Sequence, residues 1–158
     1  MDVKLTCNPG RAVLFPSNGP ISPCILGGMS VLVTGGAGYI GSHVVRLLHQ
    51  RGESVVVVDD LSSGLVERIG SSKLVQLNLA SPEAVSVLDQ TIREHEVKSV
   101  IHLAAQKQVG VSVQEPERYY NENIGGMANL LTAMRQNGVD RLVFSSSAAT
   151  YGMPDVAA

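Results

Sequence analysis

Three glycines at equal spacing, Gly35, Gly38 and Gly41, are the residues in this sequence that most clearly suggest a chemistry. They lie in the segment VTGGAGYIGSH, and because glycine has no Cβ, such a loop lets the main chain approach a ligand closely. A helix that begins inside the loop offers free N–H groups and the positive end of its dipole to an anion. The spacing therefore predicts a pyrophosphate-binding turn. Gly35 would adopt a conformation closed to other residues, Gly38 would allow the close approach, and Gly41 would let the helix lie near the strand.

An acidic residue stands where a dinucleotide site needs its second contact. The run SVVVVDD reaches Asp59 eighteen residues after Gly41, where a carboxylate accepts hydrogen bonds from the adenosine ribose. Asp59 and the adjacent Asp60 would repel a 2′-phosphate, so the sequence predicts NAD and not NADP as the cofactor. The alternative is a tight turn that binds no ligand.

The elements that would position these residues alternate along the chain. Short apolar runs are followed by segments of 3.6-residue periodicity from Val31 onward, which predicts an α/β fold. We expect a Rossmann-type doubly wound parallel sheet of about five strands in the order 3-2-1-4-5. The expected strands are 31–34, 54–59, 73–77, 98–103 and 141–145.

Three helices are expected between these strands. The first covers 39–50, with Ile40, Val44, Leu47 and Leu48 on its apolar face. The second begins near Ser81 as a cap and Pro82 as the first helical residue. The third covers 116–136 and ends at Gly138. Gly125 and Gly126 lie inside this last helix at a cost of up to ~1 kcal/mol each, which predicts close packing against the sheet and not a hinge.

Composition narrows the class of protein. A chain of 158 residues is long enough for one domain. Its net charge of −2 gives no basic surface for binding nucleic acid. No apolar run is long enough for a membrane helix, so we expect a cytoplasmic protein. Cys7 and Cys24 lie far apart with no histidine nearby, so we expect no metal site. Residues 1–28 are rich in proline and glycine, and we interpret them as an unstructured leader or a misassigned translation start, with the domain beginning at Met29.

Five further motifs give the sequence a family resemblance. Together with the glycine spacing, these are DDLSSG (59–64), VIHLAA (100–105), KQVGVS (107–112), PERYYNENIGG (116–126) and VFSSSAATYG (143–152). With them the chain resembles the extended short-chain dehydrogenase/reductase family, and within it the UDP-glucose 4-epimerase (UDP-galactose 4-epimerase) branch. The resemblance covers 29–152 without gaps. It implies an NAD-binding domain over 29–158 that stops before the last strands and the substrate domain.

The resemblance also implies roles for individual residues. The pyrophosphate would contact Gly35, Gly38, Tyr39 and Ile40, and the ribose would contact Asp59. Leu79 would lie against adenine, beside Asn78 where the family usually has an aspartate. The nicotinamide half would be lined by Leu103, Ala104, Ala105 and Lys107, and Asn123 would face the cofactor or sugar pocket. His102 is interpreted as a strand-end histidine with its hydrogen bonds satisfied, not as a catalytic group.

The reaction of the resembled branch is a C4 epimerisation of a UDP-hexose. Bound NAD takes a hydride from C4 and returns it to the other face of the sugar. The family hydrogen-bonds the reacting hydroxyl with a serine, here Ser147, and removes its proton with a tyrosine that is followed four residues later by a lysine. No such Tyr-x-x-x-Lys pair occurs in this sequence. We therefore expect weak NAD binding and little or no turnover by this chain alone.

Two other functions stay open. A nucleotide-sugar 4,6-dehydratase would share the glycine loop, but it usually has an acid pair where this chain has SSA (146–148). A non-catalytic NAD-binding module would need no Tyr-x-x-x-Lys pair. A homodimer through the 116–136 helix is the expected assembly, with a UDP-hexose as the substrate if a C-terminal region completes the site.

Overall fold

The computed structural model describes residues 30–147, 150 and 152, so the interpretation of residues 1–28 lies outside the described residues. A five-stranded sheet forms the centre of the fold. Its strands are all parallel in the order β3-β2-β1-β4-β5, which confirms the expected fold class. The strands are β1 Ser30–Thr34, β2 Ser54–Asp59, β3 Lys73–Gln76, β4 Val97–His102 and β5 Leu142–Phe144.

The central strand β1 marks a change of direction in the chain. From β1 the chain moves outward through β2 to β3, then crosses back to place β4 on the other side of β1. The loops that follow β1 and β4 therefore leave the sheet in opposite directions. In open α/β sheets this divergence produces a crevice at the carboxyl ends of the strands, where ligands bind.

Helices cover both faces of the sheet, because each strand is apolar on both sides. Along β1, Leu32 points into a cluster that includes Leu88 and Leu130 from the helices of one face. Val31 and Val33 point into a second cluster with Val45 and Leu48 on the other face. The helices are α1 Tyr39–Gln50, α2 Ala84–Glu94, α3 Val109–Gln114, α4 Pro116–Tyr120 and α5 Gly126–Gln136, with a 3₁₀ helix at Val66–Ile69.

The first helix has its expected bounds and part of its expected face. Its buried residues are Gly41, Val45 and Leu48, and Val44 packs against the same core cluster. The predicted face is therefore confirmed at Leu48 and Val44. It was wrong at Ile40 and Leu47, which are exposed, because the helix approaches the sheet along the side that carries Gly41. A side chain of any size at that position would hold the helix further away.

The second helix begins later than the sequence predicted. Ser81 accepts a hydrogen bond through its backbone carbonyl from the N–H of Ala84, but its buried Oγ has no partner and it caps nothing. Pro82 lies in a turn before the helix, which starts at Ala84. The prediction that Ser81 and Pro82 open this helix was wrong, because the chain makes a tight turn after β3 before it can enter the helix.

The long helical segment over 116–136 is confirmed, with one irregular turn inside it. A π-helical turn at Asn121–Gly125 joins α4 to α5. A Cβ on Gly126 would lie 3.1 Å from Leu79 Cβ, so this glycine lets α5 pack closely against the chain after β3. The segment ends as expected at Gly138, whose φ is +64°, and Val139 N–H donates to Met134 O.

The two adjacent leucines of α1 give a matched test of this packing. Leu48 is 5% exposed and Leu47 is 52% exposed. We expect Leu48→Ala to lower the free energy of unfolding by about 2–5 kcal/mol, since it opens a cavity in the core. Leu47→Ala should change it by less than about 0.5 kcal/mol. Urea unfolding followed by circular dichroism measures both, and equal losses would contradict the assignment of the buried face.

Candidate functional site

The glycine loop is held against the loop that follows β4. Gly35 has a φ of +70°, a conformation that side chains rarely adopt, as the sequence predicted. A Cβ on Gly35 would lie 2.7 Å from the backbone N of Ala104 and 2.9 Å from the carbonyl carbon of Leu103. Gly35 therefore serves two requirements at once, a left-handed backbone and direct contact between two backbones across the crevice.

The remaining glycines of the loop answer different steric needs. A Cβ on Gly41 would collide with Gly35 O and Gly36 Cα, which confirms the close approach of α1 to the turn. Gly36 was not among the predicted positions, yet its Cβ would lie 2.8 Å from Val57 of β2. At Gly38 a Cβ would meet only Gly35 O, at 3.3 Å, so the space beyond it is free.

The start of α1 is suited to an anion. Its cap residue Gly38 makes no side-chain capping hydrogen bond, and the first turn contains no acidic residue. The backbone N–H groups at a helix start lack intrahelical partners, so here they are available to a ligand. Tyr39 and Ile40 are exposed in this first turn.

Asp59 connects the glycine loop to the end of β2. Its Oδ2 accepts a hydrogen bond from Ala37 N–H at 2.9 Å, and its Oδ1 accepts one from Leu61 N–H at 2.9 Å. The residue is 7% exposed. A carboxylate has about four lone-pair positions, so each oxygen keeps capacity for one further donor such as a ribose hydroxyl.

The loop after Asp59 closes over the glycine turn. Leu65 N–H donates to Ala37 O at 3.1 Å. A Cβ on Gly64 would lie 2.8 Å from both Ala37 Cβ and Asp59 Oδ1. Asp60, by contrast, accepts from Ser62 N–H and Ser62 Oγ–H through the same oxygen, Oδ1. Of these two adjacent acids, only Asp59 accepts hydrogen bonds through both carboxylate oxygens.

Asn123 holds the loop after β4 in place. It lies in the π-helical turn, and its amide bonds the backbone of Gln106 twice: Gln106 N–H donates to Asn123 Oδ1 at 2.8 Å, and Asn123 Nδ2 donates to Gln106 O at 3.0 Å. Irregular turns of this kind are frequent at functional sites. In this arrangement, Asn123 positions the loop that carries Ala105 and Lys107, both of which are exposed.

The chain after β3 supplies Asn78 and Leu79. Asn78 is exposed, and its Oδ1 accepts from Ala80 N–H at 2.8 Å, which leaves its NH₂ group for other partners. Leu79 is 8% exposed and belongs to the core cluster, and its carbonyl accepts from Asn129 Nδ2 at 2.8 Å. The contacts of Asn78 and Leu79 with adenine stay predictions.

His102 ends β4 as a histidine with a protein partner, as the sequence indicated. Its Nδ1 lies 2.7 Å from Thr34 Oγ1, and its ring stacks on Phe144 with centroids 5.8 Å apart. Burial lowers the pKa of His102 below its ordinary value of 6.5. Ser147, three residues beyond Phe144, is exposed, and its carbonyl accepts from Thr150 N–H at 3.1 Å.

The described residues contain a further groove. It has a volume of about 720 Å³, lies between α1 and the 3₁₀ helix, and is lined by Tyr39, Arg46 and Arg68 among others. Within residues 30–147, 150 and 152, no group of three or more His, Cys, Asp or Glu side chains could hold a metal ion. No helix in this part of the chain is long and apolar enough to cross a membrane.

Apart from Asn123, the predicted site residues lie at or after the carboxyl end of a strand, at one edge of the sheet. This arrangement defines the class of protein: an α/β domain with a dinucleotide-type glycine turn and acid at its topological switch point. The residues concerned are Gly35, Gly38, Tyr39, Ile40 and Gly41 after β1, Asp59 at the end of β2, Asn78 and Leu79 after β3, Leu103, Ala104, Ala105 and Lys107 after β4, and Ser147 after β5. Asn123 reaches the same edge from the π-helical turn.

Comparison with known proteins gives the family. Residues 31–157 match the model of the NAD dependent epimerase/dehydratase family, and the chain belongs to that family. It is 42% identical over 126 residues to the UDP-glucose 4-epimerase of Halalkalibacterium halodurans, over 80% of this chain and 37% of that protein. The chain thus spans less than two fifths of the length of that relative.

Solved structures agree with this assignment. The UDP-glucose 4-epimerase from Brucella ovis in complex with NAD superposes with a TM-score of 0.74 at 40% identity, over 81% of this chain and 38% of that one. The enzyme of Thermus thermophilus, also in complex with NAD, gives a TM-score of 0.70 at 43% identity, over 75% of this chain and 38% of that one. These structures confirm the predicted Rossmann-type fold and the resemblance.

The two acids at the end of β2 give a test of the Asp59 network. In Asp59→Asn an NH₂ group replaces one oxygen and faces a backbone N–H, so we expect the free energy of unfolding to fall by about 1–3 kcal/mol. Asp60→Asn keeps the single oxygen that Ser62 uses and should cost less than about 0.5 kcal/mol. Urea unfolding of both variants measures this difference, and equal stabilities would contradict the network.

The lowered pKa of His102 predicts how stability depends on pH. As the pH falls through 6.5, His102 becomes protonated in the unfolded chain but stays neutral in the folded chain, whose pKa is lower. Acidification therefore reduces the free energy of unfolding, until pH falls below the folded pKa. We expect this loss to begin as pH falls through the ordinary value of 6.5, and expect His102→Asn to remove the part of it due to this histidine. Urea unfolding at pH values above and below 6.5 measures the slope, and the same slope in both proteins would show that His102 does not contribute.

Proposed function

We propose that this chain binds NAD in the crevice between the loops that follow β1 and β4. The hydrogen bond from Ala37 N–H to Asp59 Oδ2 carries the proposal, because it places a ribose-type acid directly beside the glycine turn. The local geometry suits the cofactor: the space beside Gly38 is free of side chains, and α1 starts without a side-chain cap. Relatives that were solved in complex with NAD support the same assignment.

Different residues of the chain would bind different parts of the cofactor. The first-turn N–H groups at Tyr39 and Ile40 would bind the pyrophosphate, and the remaining lone pairs of Asp59 would accept from the ribose. The charge of Asp59, 7% exposed, would exclude a 2′-phosphate. Lys107 would lie near a phosphate or ribose on the nicotinamide side. Bound NAD supplies a hydride acceptor and donor.

The whole protein, on this proposal, is a UDP-glucose 4-epimerase with a UDP-hexose as substrate. The relatives of 40% identity and above carry that name, and Ser147 stands where the family has the serine that binds the reacting hydroxyl. The present sequence has no tyrosine followed four residues later by a lysine, so it lacks the proton-transfer pair of the resembled enzymes. We therefore propose that this chain binds cofactor but turns over little or no UDP-hexose alone.

The domain boundaries, location and assembly belong to the same proposal. Residues 29–158 would form the NAD-binding domain of a cytoplasmic protein. An exposed stripe of Tyr120, Ile124 and Leu131 runs along one side of the 116–136 segment, whereas Leu130 is buried. This apolar stripe supports a homodimer through these helices, and sedimentation equilibrium of the chain with and without Ile124→Lys measures it.

Cofactor titration is the direct test of the proposal. We expect isothermal titration calorimetry to detect saturable NAD binding and at least about tenfold weaker binding of NADP, which corresponds to about 1.4 kcal/mol. Failure of NAD to bind, or equal affinity for the two cofactors, would contradict it. A coupled assay with UDP-galactose on the same sample measures epimerase turnover, and a rate equal to that of a full-length relative would contradict the proposed inactivity of the chain alone.

Two glycine variants test the pyrophosphate contact separately from the stability of the fold. Gly38→Ala places a methyl group in the free space beside the helix start, so NAD affinity should fall by about tenfold or more while the fold persists. Gly110→Ala is the matched control, because a Cβ there meets nothing within 4 Å. An unchanged NAD affinity in Gly38→Ala would contradict the placement of the pyrophosphate at the start of α1.

A further inference from the structure

A buried polar pair lies directly beneath the proposed cofactor crevice. Thr34 ends β1 and His102 ends β4, and the two residues are partners in the parallel register of these strands. Thr34 is 0% exposed and His102 is 4% exposed. The 2.7 Å contact between Thr34 Oγ1 and His102 Nδ1 therefore joins the two strands from which the crevice opens, in surroundings that exclude water.

The neighbouring backbone favours Thr34 as the donor of the pair. Ala104 N–H points at Thr34 Oγ1 over 3.5 Å and uses one lone pair of that oxygen. The hydroxyl proton can then be donated to His102 Nδ1, which lies 2.7 Å away. Donation in this direction requires a neutral ring with its proton on Nε2.

The same histidine contacts the ends of three strands. Leu103 N–H, next to His102, donates to Thr34 O at 3.0 Å, and Ser145 N–H donates to His102 O at 3.1 Å. The ring lies nearly parallel to Phe144, with an interplanar angle of 15°. Ala104 touches Gly35 at the point where no Cβ fits.

We propose that His102 is a positioning residue: as the neutral Nε2-protonated tautomer it accepts a hydrogen bond from Thr34, and so fixes the contact between Gly35 and Ala104 across the cofactor crevice. This inference rests on the proposed NAD site. Without the bond, the loops after β1 and β4 lose the side-chain link between them, and the cofactor must order them on binding. Affinity for NAD therefore depends on two side chains that do not touch it.

Four variants separate the hydrogen bond from the volume of the side chains. Thr34→Val and His102→Leu remove the bond at similar volume, and we expect each to weaken NAD binding by about tenfold. Thr34→Ser keeps the hydroxyl and His102→Asn keeps an acceptor near the position of Nδ1, so both should stay within about threefold of the unmodified chain. Because the pair acts as a unit, the double variant Thr34→Val/His102→Leu should be no weaker than the worse single variant.

The measurements distinguish positioning from stability alone. Calorimetry gives the NAD affinity of protein that circular dichroism shows to be folded, and urea unfolding gives the stability of each variant. Lower stability with unchanged affinity in Thr34→Val would overturn the inference even if His102→Leu failed to fold. Nitrogen-15 spectra of the histidine rings test the tautomer independently, and a proton on Nδ1 of His102 would also overturn it. If the unmodified chain does not bind NAD, the proposed function fails and this inference fails with it; if the chain binds NAD and all four variants bind it equally well, only this inference fails and the proposed function stands.

Discussion

Direct contact between two backbones, at Gly35 and Ala104, is the constraint on which the rest of this structure depends. A Cβ on Gly35 would lie 2.7 Å from Ala104 N, so the segments that follow the central strand and its neighbour can approach this closely because that atom is absent. Glycines at 36 and 41 extend the same close packing to β2 and to α1. With these approaches in place, the helix start, the acid of β2 and the loop after β4 all meet at one edge of the sheet.

Close backbone packing leaves polar groups buried at this edge, and the structure satisfies them with short links between neighbouring loops. Asp59 accepts from Ala37 and Leu61, and Asn123 pairs with both backbone groups of Gln106. The bond to Ala37 joins segments that follow different strands, the bond to Leu61 holds the loop after β2 itself, and the Asn123 pair joins the helical segment to the loop after β4. The side chains expected at the cofactor are thus also the ones that hold the loops, so changes at them affect affinity and stability together.

The chain contains residues suited to a dinucleotide and spans only part of the length of its relatives. The described residues contain a nearly complete set of backbone and acidic groups suited to a dinucleotide, and belong to a family that uses NAD. The chain covers 37% of the length of a relative at 42% identity, and the proton-transfer pair of the resembled enzymes is not among its residues.

The sequence by itself determined the alternation of strands and helices, the glycine turn and Asp59, because these depend on local spacing, apolar periodicity and the absence of a Cβ. The parallel sheet and its strand order followed from the Rossmann pattern that this alternation and the glycine turn indicate. The sequence also determined the end of the long helix at Gly138, where a left-handed residue is needed. Only the tertiary structure decided which side of α1 is buried, since Gly41 and not Ile40 faces the sheet. Tertiary structure also decided the need for Gly36, the late start of α2 and the pairing of Thr34 with His102. These features depend on contacts between distant segments, which local sequence patterns do not specify.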